Sequence, residues 1–334
     1  MSQPPMSQPP MSLEGQQQPV LVVVVREAGL RDGLQNVSAF FPTEAKQQWL
    51  LAEAAAGMPE IEVCSFVPPH VMPQFTDHAD TVATALNIPN LSVAALVPNA
   101  KGAQRGFALA VHKLNFVLSA SETHNRANVK CSTDESLERF SAVMAERQAQ
   151  PLYARTKVSG CVSTAMGCTF EGAIDPKRVL QLVEQYLERG ADEIVIADTV
   201  GYTNPAAVKS LFRAVLAMTP ANIPVVAHFH DTRGLGLANV VAALDVGVRQ
   251  FDASLAGLGG CPFAPEATGN IVMEDLVFML ESMGLNTGVD IEALLAIRPL
   301  LRQHLPDEPM HGLIARAGLP KHFVNQHGSH STAH

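Results

Sequence analysis

The feature that most constrains the fold of this chain is a series of eight short runs rich in β-branched residues, separated by stretches with helical periodicity. Most of these runs are continuously apolar, as expected for parallel strands that are covered on both faces. Eight strand–helix units in succession predict a closed (β/α)8 TIM barrel with a short helical C-terminal extension. The predicted strands are residues 20–25, 61–66, 91–97, 113–118, 156–162, 193–197, 224–229 and 250–254.

Capping residues locate the starts of several predicted helices. Asp175 before Pro176, and Asn204 before Pro205, each place an N-cap residue in front of a proline in the first helical turn. Residues 132–135 have the spacing of a capping box. The alternative architecture is a doubly wound open sheet. It is disfavoured because no G-x-G-x-x-G motif follows the first strand.

The two ends of the chain differ in composition from the middle. Residues 1–19 repeat the unit Ser-Gln-Pro-Pro-Met, and such a stretch buries too little apolar surface to offset its ordering entropy. We therefore predict that residues 1–19 form a disordered tail. Residues 321–334 are polar, hold four histidines and are predicted to be a flexible tail. The barrel domain is predicted to span residues 20–320.

Composition excludes several classes of partner. Asp plus Glu outnumber Lys plus Arg by 32 to 23, so no nucleic-acid partner is expected. The five cysteines are odd in number and include no CxxC pair, which argues against a disulfide framework or a structural zinc site. No apolar run reaches the roughly 20 residues of a membrane helix, so no membrane association is expected. The N-terminus carries no arginine before Arg26 and no secretory signal, which favours a cytoplasmic protein.

Polar side chains follow several predicted strands at the end where TIM-barrel active sites lie. His228 and His230 are two residues apart in strand seven, so both imidazoles point to the same face. Asp32 and Asn270 follow strands one and eight, which close the barrel next to strand seven. Two nitrogens, a carboxylate and an amide oxygen suit Mg²⁺ or Mn²⁺ better than a closed zinc site. The sequence therefore predicts a divalent metal site.

Arg31, Glu62 and Cys261 each have two possible interpretations, one structural and one catalytic. Arg31 forms either a local ion pair or a fixed cation for a developing oxyanion, and Gln35 could add a hydrogen-bond donor. Glu62 lies in a very apolar strand, and a salt bridge to Arg31 is compatible with either reading. Cys261 lies in a glycine-rich loop. It is either a small buried residue, which spacing alone favours, or a mobile acid that delivers a proton.

Several of these segments, taken together, resemble the 3-hydroxy-3-methylglutaryl-CoA (HMG-CoA) lyase family. The similarity extends from about residue 23 to about residue 288, and its motifs occur in the same order. The matching segments are residues 31–36, 65–67, 167–168, 171–172, 198–199, 228–231, 257–262, 269–270 and 274–276.

The resemblance implies a metal-dependent lyase that cleaves an acyl-CoA substrate, HMG-CoA, to acetyl-CoA and acetoacetate. It implies that Arg31 stabilises the enolate of the departing acetyl-CoA and that Cys261 closes over the site and assists proton transfer. It also implies a homodimer. The implied catalytic residues are Arg31, Asp32, Glu62, His228 and Cys261; the implied Mg²⁺ or Mn²⁺ ligands are Asp32, His228, His230 and Asn270; the implied substrate contacts are Arg31, Gln35, Ser65, Asp198 and Thr199.

The chain departs from the family pattern near the expected substrate region. Ser159 stands where an arginine is expected, and residues 37–38 lack an expected lysine. The same chemistry on another branched substrate, such as citramalyl-CoA or an isoprenyl-substituted glutaryl-CoA, is therefore an alternative. A condensing acyltransferase of the isopropylmalate synthase type is a second, but the chain leaves no room for a large domain after the barrel. A non-catalytic barrel is disfavoured because every expected metal position is filled.

Overall fold

A closed barrel of eight parallel strands forms the centre of the computed structural model, which describes residues 22–260 and 269–325. Each strand pairs with its neighbours in the sequence, and the last strand pairs with the first. All eight predicted strands are present, so the barrel prediction is confirmed. The strands are β1 (Val24–Glu27), β2 (Glu60–Ser65), β3 (Ser92–Val97), β4 (Lys113–Ser119), β5 (Lys157–Ser163), β6 (Glu193–Asp198), β7 (Val225–Phe229) and β8 (Gln250–Ala253).

Helices follow every strand and surround the barrel, and three short ones form the predicted C-terminal extension. No helix in residues 22–260 and 269–325 is long and apolar enough to cross a membrane. The helices are α1 (Thr43–Ala55), α2 (His78–Leu86), α3 (Ala100–Ala108), α4 (Glu122–Val129), α5 (Thr133–Ala149), α6 (Pro176–Glu188), α7 (Pro205–Met218), α8 (Gly236–Asp245), α9 (Met273–Ser282), α10 (Ile291–Leu295), α11 (Arg298–His304) and α12 (Ile314–Ala317).

The predicted helix starts are confirmed by their cap hydrogen bonds. The Asp175 carboxylate accepts from the backbone N–H of Lys177 at the start of α6. Asn204 accepts from two backbone N–H groups at the start of α7. At α5 the predicted capping box is complete, since Ser132 and Glu135 bond reciprocally to each other's backbone. These bonds satisfy N–H groups that a helix start otherwise leaves unpaired.

Within the described residues, β1 begins at Val24, two residues after Val22, which also belongs to the predicted strand 20–25. The valine-rich run 20–25 predicted a strand there, but regular pairing starts at Val24, where β8 pairs with it. Val22 is 60% exposed and forms only an isolated bridge with Asn286. Arg26 and Glu27 therefore lie inside the strand instead of after it. Because side chains alternate along a strand, Arg26 points into the barrel and Glu27 points outward.

The outward carboxyl of Glu27 forms a buried acid pair with Glu53 of α1. Glu27 accepts hydrogen bonds from the backbone N–H groups of Gly29 and Leu255. The Glu53 side chain is fully buried, and neither of its oxygens has a hydrogen-bond partner among the described residues. Burial, followed by the charge of Glu27, raises the pKa of Glu53 well above its ordinary value. Burial likewise raises the pKa of Glu27.

The closure of the barrel is asymmetric at β1. Four residue pairs join β1 to β8, from Val24–Gln250 to Glu27–Ala253, whereas a single pair, Glu27–Ile61, joins β1 to β2. The first strand is thus held chiefly by the last. This seam brings the turn after β1 and the segment after β8 to the same end of the barrel.

Several predictions lie outside the described residues. Residues 1–21 and 326–334 are not described, so the predicted tails and the limits of the barrel domain stay predictions. Cys261 also lies outside the described residues, as do residues 262–268.

Candidate active site

Three predicted metal ligands converge at the carboxyl end of the barrel. Asp32 lies in a π-helical turn, Gly29–Gly33, directly after β1, while His228 lies in β7 and His230 follows it. Their nearest ligand atoms all lie within 4.8 Å of one another. The Nε2 atoms of the two histidines are 3.2 Å apart, and Asp32 Oδ2 is 3.5 Å from His230 Nε2. Three buried donor atoms therefore face one point.

Asn270 completes the group that the sequence predicted. Its Nδ2 donates to Asp32 Oδ2 at 2.7 Å and to the backbone oxygen of Leu258 at 3.1 Å. Its Oδ1 is buried, and no donor within residues 22–260 and 269–325 reaches it. A buried amide oxygen without a partner is costly, whereas an oxygen that coordinates a cation is satisfied. Two imidazoles and a carboxylate fit a divalent cation, and Asn270 would add its amide oxygen if that oxygen, in place of Nδ2, were turned toward Asp32.

A buried carboxylate orients the His228 ring. Asp252 Oδ2, in β8, lies 3.1 Å from His228 Nδ1. This contact places the ring proton on Nδ1 and leaves Nε2 with its lone pair toward Asp32 and His230, the arrangement found for metal-binding histidines. Burial lowers the pKa of His228, but the hydrogen bond and charge of Asp252 outweigh burial, and the pKa is raised overall.

The predicted Arg31 ion pairs are present and control the charge of Asp32. Arg31 Nη1 lies 2.7 Å from Asp32 Oδ1, and Arg31 Nε donates to Glu62 Oε2. Gln35 Nε2 donates to Asp32 Oδ1 at 2.8 Å. Burial alone would raise the pKa of Asp32, but the charge of Arg31 and the contacts with His230 hold that pKa well below its usual range. Asp32 is therefore ionised at neutral pH.

A second set of hydrogen bonds fixes Glu62 from beneath. Asn115 Nδ2, in β4, donates to Glu62 Oε1 at 2.8 Å, and Ser159 Oγ in β5 donates to Asn115 Oδ1 at 2.6 Å. Ser159 thus has a defined role in place of the arginine expected there. It orients an amide that orients Glu62, and Glu62 in turn holds Arg31.

Positive charge inside the barrel comes from residues that the sequence analysis missed. Arg26 in β1 pairs with Asp252 at 2.6 Å and with Glu193 at 2.7 Å. Lys113 in β4 pairs with Glu193 and with Glu60 of β2. These five residues form an ionic layer inside the barrel, connected to His228 through Asp252. Charged residues inside otherwise apolar strands were the available signal, because such residues stay buried only when they are paired.

The site opens into a cavity of about 340 Å³. Its lining includes apolar side chains of the middle strands, among them Leu96, Val117 and Val195, together with Asp32, His228 and His230. Cys161 lies in the same wall, and burial, followed by the charge of Asp252, raises the pKa of its thiol to about 12. The cavity size is within the range of small-molecule sites.

Two of the predicted substrate contacts do not reach this cavity. Ser65 Oγ accepts from the backbone N–H of Val67, and Ser65 is buried away from the cavity wall. Asp198 accepts from the backbone of Tyr202 and Thr203 and so holds the turn after β6. Thr199 does line the cavity, and its Oγ1 accepts from a backbone N–H. Arg31 and Gln35 line it as well.

Comparison with known proteins gives a consistent result. The HMGL-like family matches residues 23–301. The chain is 41% identical over 273 residues to a mitochondrial hydroxymethylglutaryl-CoA lyase from Gallus gallus, covering 82% of this chain and 90% of that protein. It is 40% identical over 274 residues to the hydroxymethylglutaryl-CoA lyase YngG from Bacillus subtilis, again covering 82% and 90%.

Solved structures agree with these relatives. An HMG-CoA lyase from Acinetobacter baumannii, determined in complex with coenzyme A and 3-methylmalate, superposes with a TM-score of 0.84 at 40% identity. The match covers 90% of this chain and 96% of that chain. The carboxyl transferase domain of Rhizobium etli pyruvate carboxylase, at 18% identity and a TM-score of 0.67, shares the fold alone.

Proposed function

The chain belongs to the HMGL-like family, the HMG-CoA lyases, and from that membership we propose that it cleaves HMG-CoA to acetyl-CoA and acetoacetate with Mg²⁺ or Mn²⁺. The observation that carries the proposal is the convergence of Asp32, His228 and His230 beside Arg31 at the mouth of the cavity. The relatives are lyases that act on carbon–carbon bonds. The relatives bearing this name, and the coenzyme A complex of one of them, support an acyl-CoA as substrate.

The proposed metal ligands are Asp32, His228, His230 and Asn270. When bound, a divalent cation would lower the pKa of the substrate's tertiary hydroxyl and hold that oxygen beside a second substrate oxygen. The protein prepares this site without the cation, because Asp252 sets the His228 tautomer and Arg31 keeps Asp32 ionised. Carboxylate, amide and imidazole ligands are compatible with Mg²⁺ and Mn²⁺.

Arg31 is the proposed stabiliser of the departing enolate. Cleavage of the bond between C2 and C3 of the acyl group moves an electron pair toward the thioester oxygen, which gains negative charge. The guanidinium of Arg31 is held by Glu62 and Asp32 at the cavity wall, so it needs no reorganisation when that charge develops. We assign Glu62 to this orienting role.

The tertiary hydroxyl must also lose its proton, and two groups could accept it. Asp32 is a weak base because its pKa lies well below the usual range, whereas the pKa of His228 is raised. These directions favour His228 over Asp32 as the acceptor, and Nε2 would serve only while it is free of the cation, because one lone pair cannot hold both. The carbanion equivalent then needs a proton, and Cys261 remains the predicted donor.

The function is tested by measuring acetyl-CoA release from a panel of acyl-CoAs with Mg²⁺. We expect HMG-CoA to be cleaved, and the panel should include citramalyl-CoA, an isoprenyl-substituted glutaryl-CoA, and acetyl-CoA with a 2-oxoacid for the synthase direction. His230→Gln should abolish turnover and Mn²⁺ binding without unfolding the protein. The control His112→Gln alters a histidine at the opposite end of the barrel, before β4, and should be active.

The outcomes separate the possibilities. If HMG-CoA is inert and another acyl-CoA is cleaved, the family chemistry stands and the substrate is corrected. If the His230→Gln variant is folded and fully active, the proposed metal site is wrong. If only condensation is observed, the chain is a synthase.

We also propose that the protein is a cytoplasmic homodimer. The homodimer is proposed by analogy with the related lyases. For location, the relatives include proteins named for the mitochondrion and one named for the cytoplasm. Light scattering on the purified protein tests the first point, and a monomer would contradict it. Fractionation of the source cells tests the second.

A further inference from the structure

Arg26 is a buried cation that the chemistry of the reaction does not use directly. Its side chain is only 5% exposed and lies inside the barrel in β1. Nε donates to Asp252 at 2.6 Å, and Nη1 donates to Glu193 at 2.7 Å. The planar guanidinium presents these donors in fixed directions, so one arginine can hold two carboxylates in a defined relation.

Asp252 connects this arginine to the metal cluster. One oxygen of Asp252 accepts from Arg26, and the other lies 3.1 Å from His228 Nδ1. Arg26 and Asp252 are directly paired residues of β1 and β8. Within the described residues, Arg26 and His228 are the hydrogen-bond partners of the Asp252 side chain. The position of His228 therefore depends on a carboxylate whose far side is fixed by Arg26.

We propose that Arg26 is a positioning residue for the metal site, which holds Asp252 so that His228 Nε2 faces Asp32 and His230. The inference rests on the metal site of the proposed function. Groups that orient metal-binding histidines typically change metal affinity by about 10- to 100-fold when they are removed. Loss of Arg26 should reach the metal through Asp252 and should produce an effect of that size.

Lys113 provides a matched control. Its side chain is also 5% exposed, and it also pairs with Glu193, at 3.0 Å, and with Glu60. Within the described residues it makes no ion pair or hydrogen bond with Asp252. Removal of either cation takes one positive charge from the same ionic layer, but only Arg26 contacts the carboxylate that orients His228.

The experiment is a titration of the full-length protein with Mn²⁺ in the absence of substrate, followed by electron paramagnetic resonance of the free ion. The variants are Arg26→Met, Lys113→Met, Asp252→Asn, and the double variant of Arg26→Met with Asp252→Asn. We expect Arg26→Met to weaken Mn²⁺ binding by about 10- to 100-fold and Lys113→Met by less than about threefold. Arg26→Met should add less than about threefold in the Asp252→Asn background.

Three results would overturn the inference. They are Mn²⁺ binding by folded Arg26→Met within about threefold of the wild type, equal weakening by Lys113→Met, and a full Arg26→Met effect in the Asp252→Asn background. Failure of the wild-type protein to bind Mn²⁺ would instead refute the metal site of the proposed function. If the Arg26→Met variant does not fold, it is replaced by the double variant Arg26→Met with Glu193→Gln, in which the charge of one carboxylate partner is removed as well. It is then compared with Glu193→Gln alone, under the same criteria.

Discussion

Replacement of Glu53 by glutamine should stabilise the protein, and the gain should depend on pH. Glu53 is fully buried in α1 beside Glu27, and its two oxygens have no partner among the described residues. Glu27, by contrast, accepts backbone hydrogen bonds from Gly29 and Leu255. Burial raises the pKa of Glu27 to about 8 and that of Glu53 well above its ordinary value, and Glu53 lacks the backbone hydrogen bonds that lower the pKa of Glu27.

The magnitude follows from the proton that the folded state must hold. The ordinary pKa of Glu53 is 4.5, and burial followed by the Glu27 charge raises the pKa well above that value in the folded protein. A carboxyl group whose pKa is raised in the folded state leaves stability unaffected below its unfolded pKa. It lowers the free energy of unfolding as pH rises from the unfolded pKa toward the folded pKa. Each pH unit between the unfolded and folded pKa costs about 1.4 kcal/mol, so the cost at pH 7 is at most about 3 kcal/mol. Glutamine removes this cost but adds one buried N–H, so the expected gain is about 2–3 kcal/mol.

The assay is urea unfolding of wild type and Glu53→Gln at pH 5, 6, 7 and 8. The difference in unfolding free energy should be small at pH 5 and should grow by about 1.4 kcal/mol per pH unit until the folded pKa is reached. At pH 7 the variant should also melt roughly 3–5 °C higher, since a barrel of this size unfolds with an entropy of about 0.6 kcal/mol/K. The control Glu44→Gln changes an exposed residue in the first turn of the same helix and should be neutral or slightly destabilising. A difference that does not vary with pH would refute the proton argument, and a variant less stable than wild type at pH 8 would refute the burial argument.

Three further outcomes are expected. Asn115→Leu should lower kcat by about 10- to 100-fold with Mn²⁺ affinity unchanged, because Glu62 loses the hydrogen bond that orients it. Ser159→Ala should lower kcat less, because it acts only through Asn115. A fall in Mn²⁺ affinity as large as the fall in kcat would argue against this division of roles. Mn²⁺ affinity should fall by up to about tenfold per pH unit as pH drops through the raised pKa of His228, since a proton and the metal compete for Nε2. Calorimetry at pH 8, 7 and 6 tests this, and an affinity that stays constant would contradict it. Gly160→Ala should cost about 1–3 kcal/mol in urea unfolding, because its Cβ would lie 2.5 Å from the Tyr186 ring; unchanged stability would mean that the ring moves aside freely.

Much of the fold could be predicted because burial on both faces of a parallel strand leaves a continuous apolar run in the sequence. All eight strands were found in this way. The start of β1 was not, since a valine-rich run does not show where pairing begins, and that point is set by β8 at Gln250. A local pattern cannot contain information that belongs to a partner strand more than 200 residues away.

In the candidate site, too, local features could be predicted from the sequence, whereas contacts between distant strands could not. The pair His228 and His230 could be recognised locally, because residues two apart share a face of a strand. Arg26 and Asp252 could be noticed as charges within apolar strands. Their pairing could not be predicted, because it depends on the register between β1 and β8. The substitution at Ser159 was visible as a lost charge, but its hydrogen bond to Asn115 required the structure.

The seam between β1 and β8 has a consequence for biosynthesis. A ribosome makes β1 first, yet four of the five residue pairs that hold it lie with a strand that emerges last. Asp32 follows β1, and Asn270 follows β8. A nascent polypeptide arrested before residue 250 should therefore lack both the β1–β8 pairing that closes the barrel and one of the four proposed ligands, Asn270. Translation must therefore pass Asn270 before the chain can present all four proposed ligands.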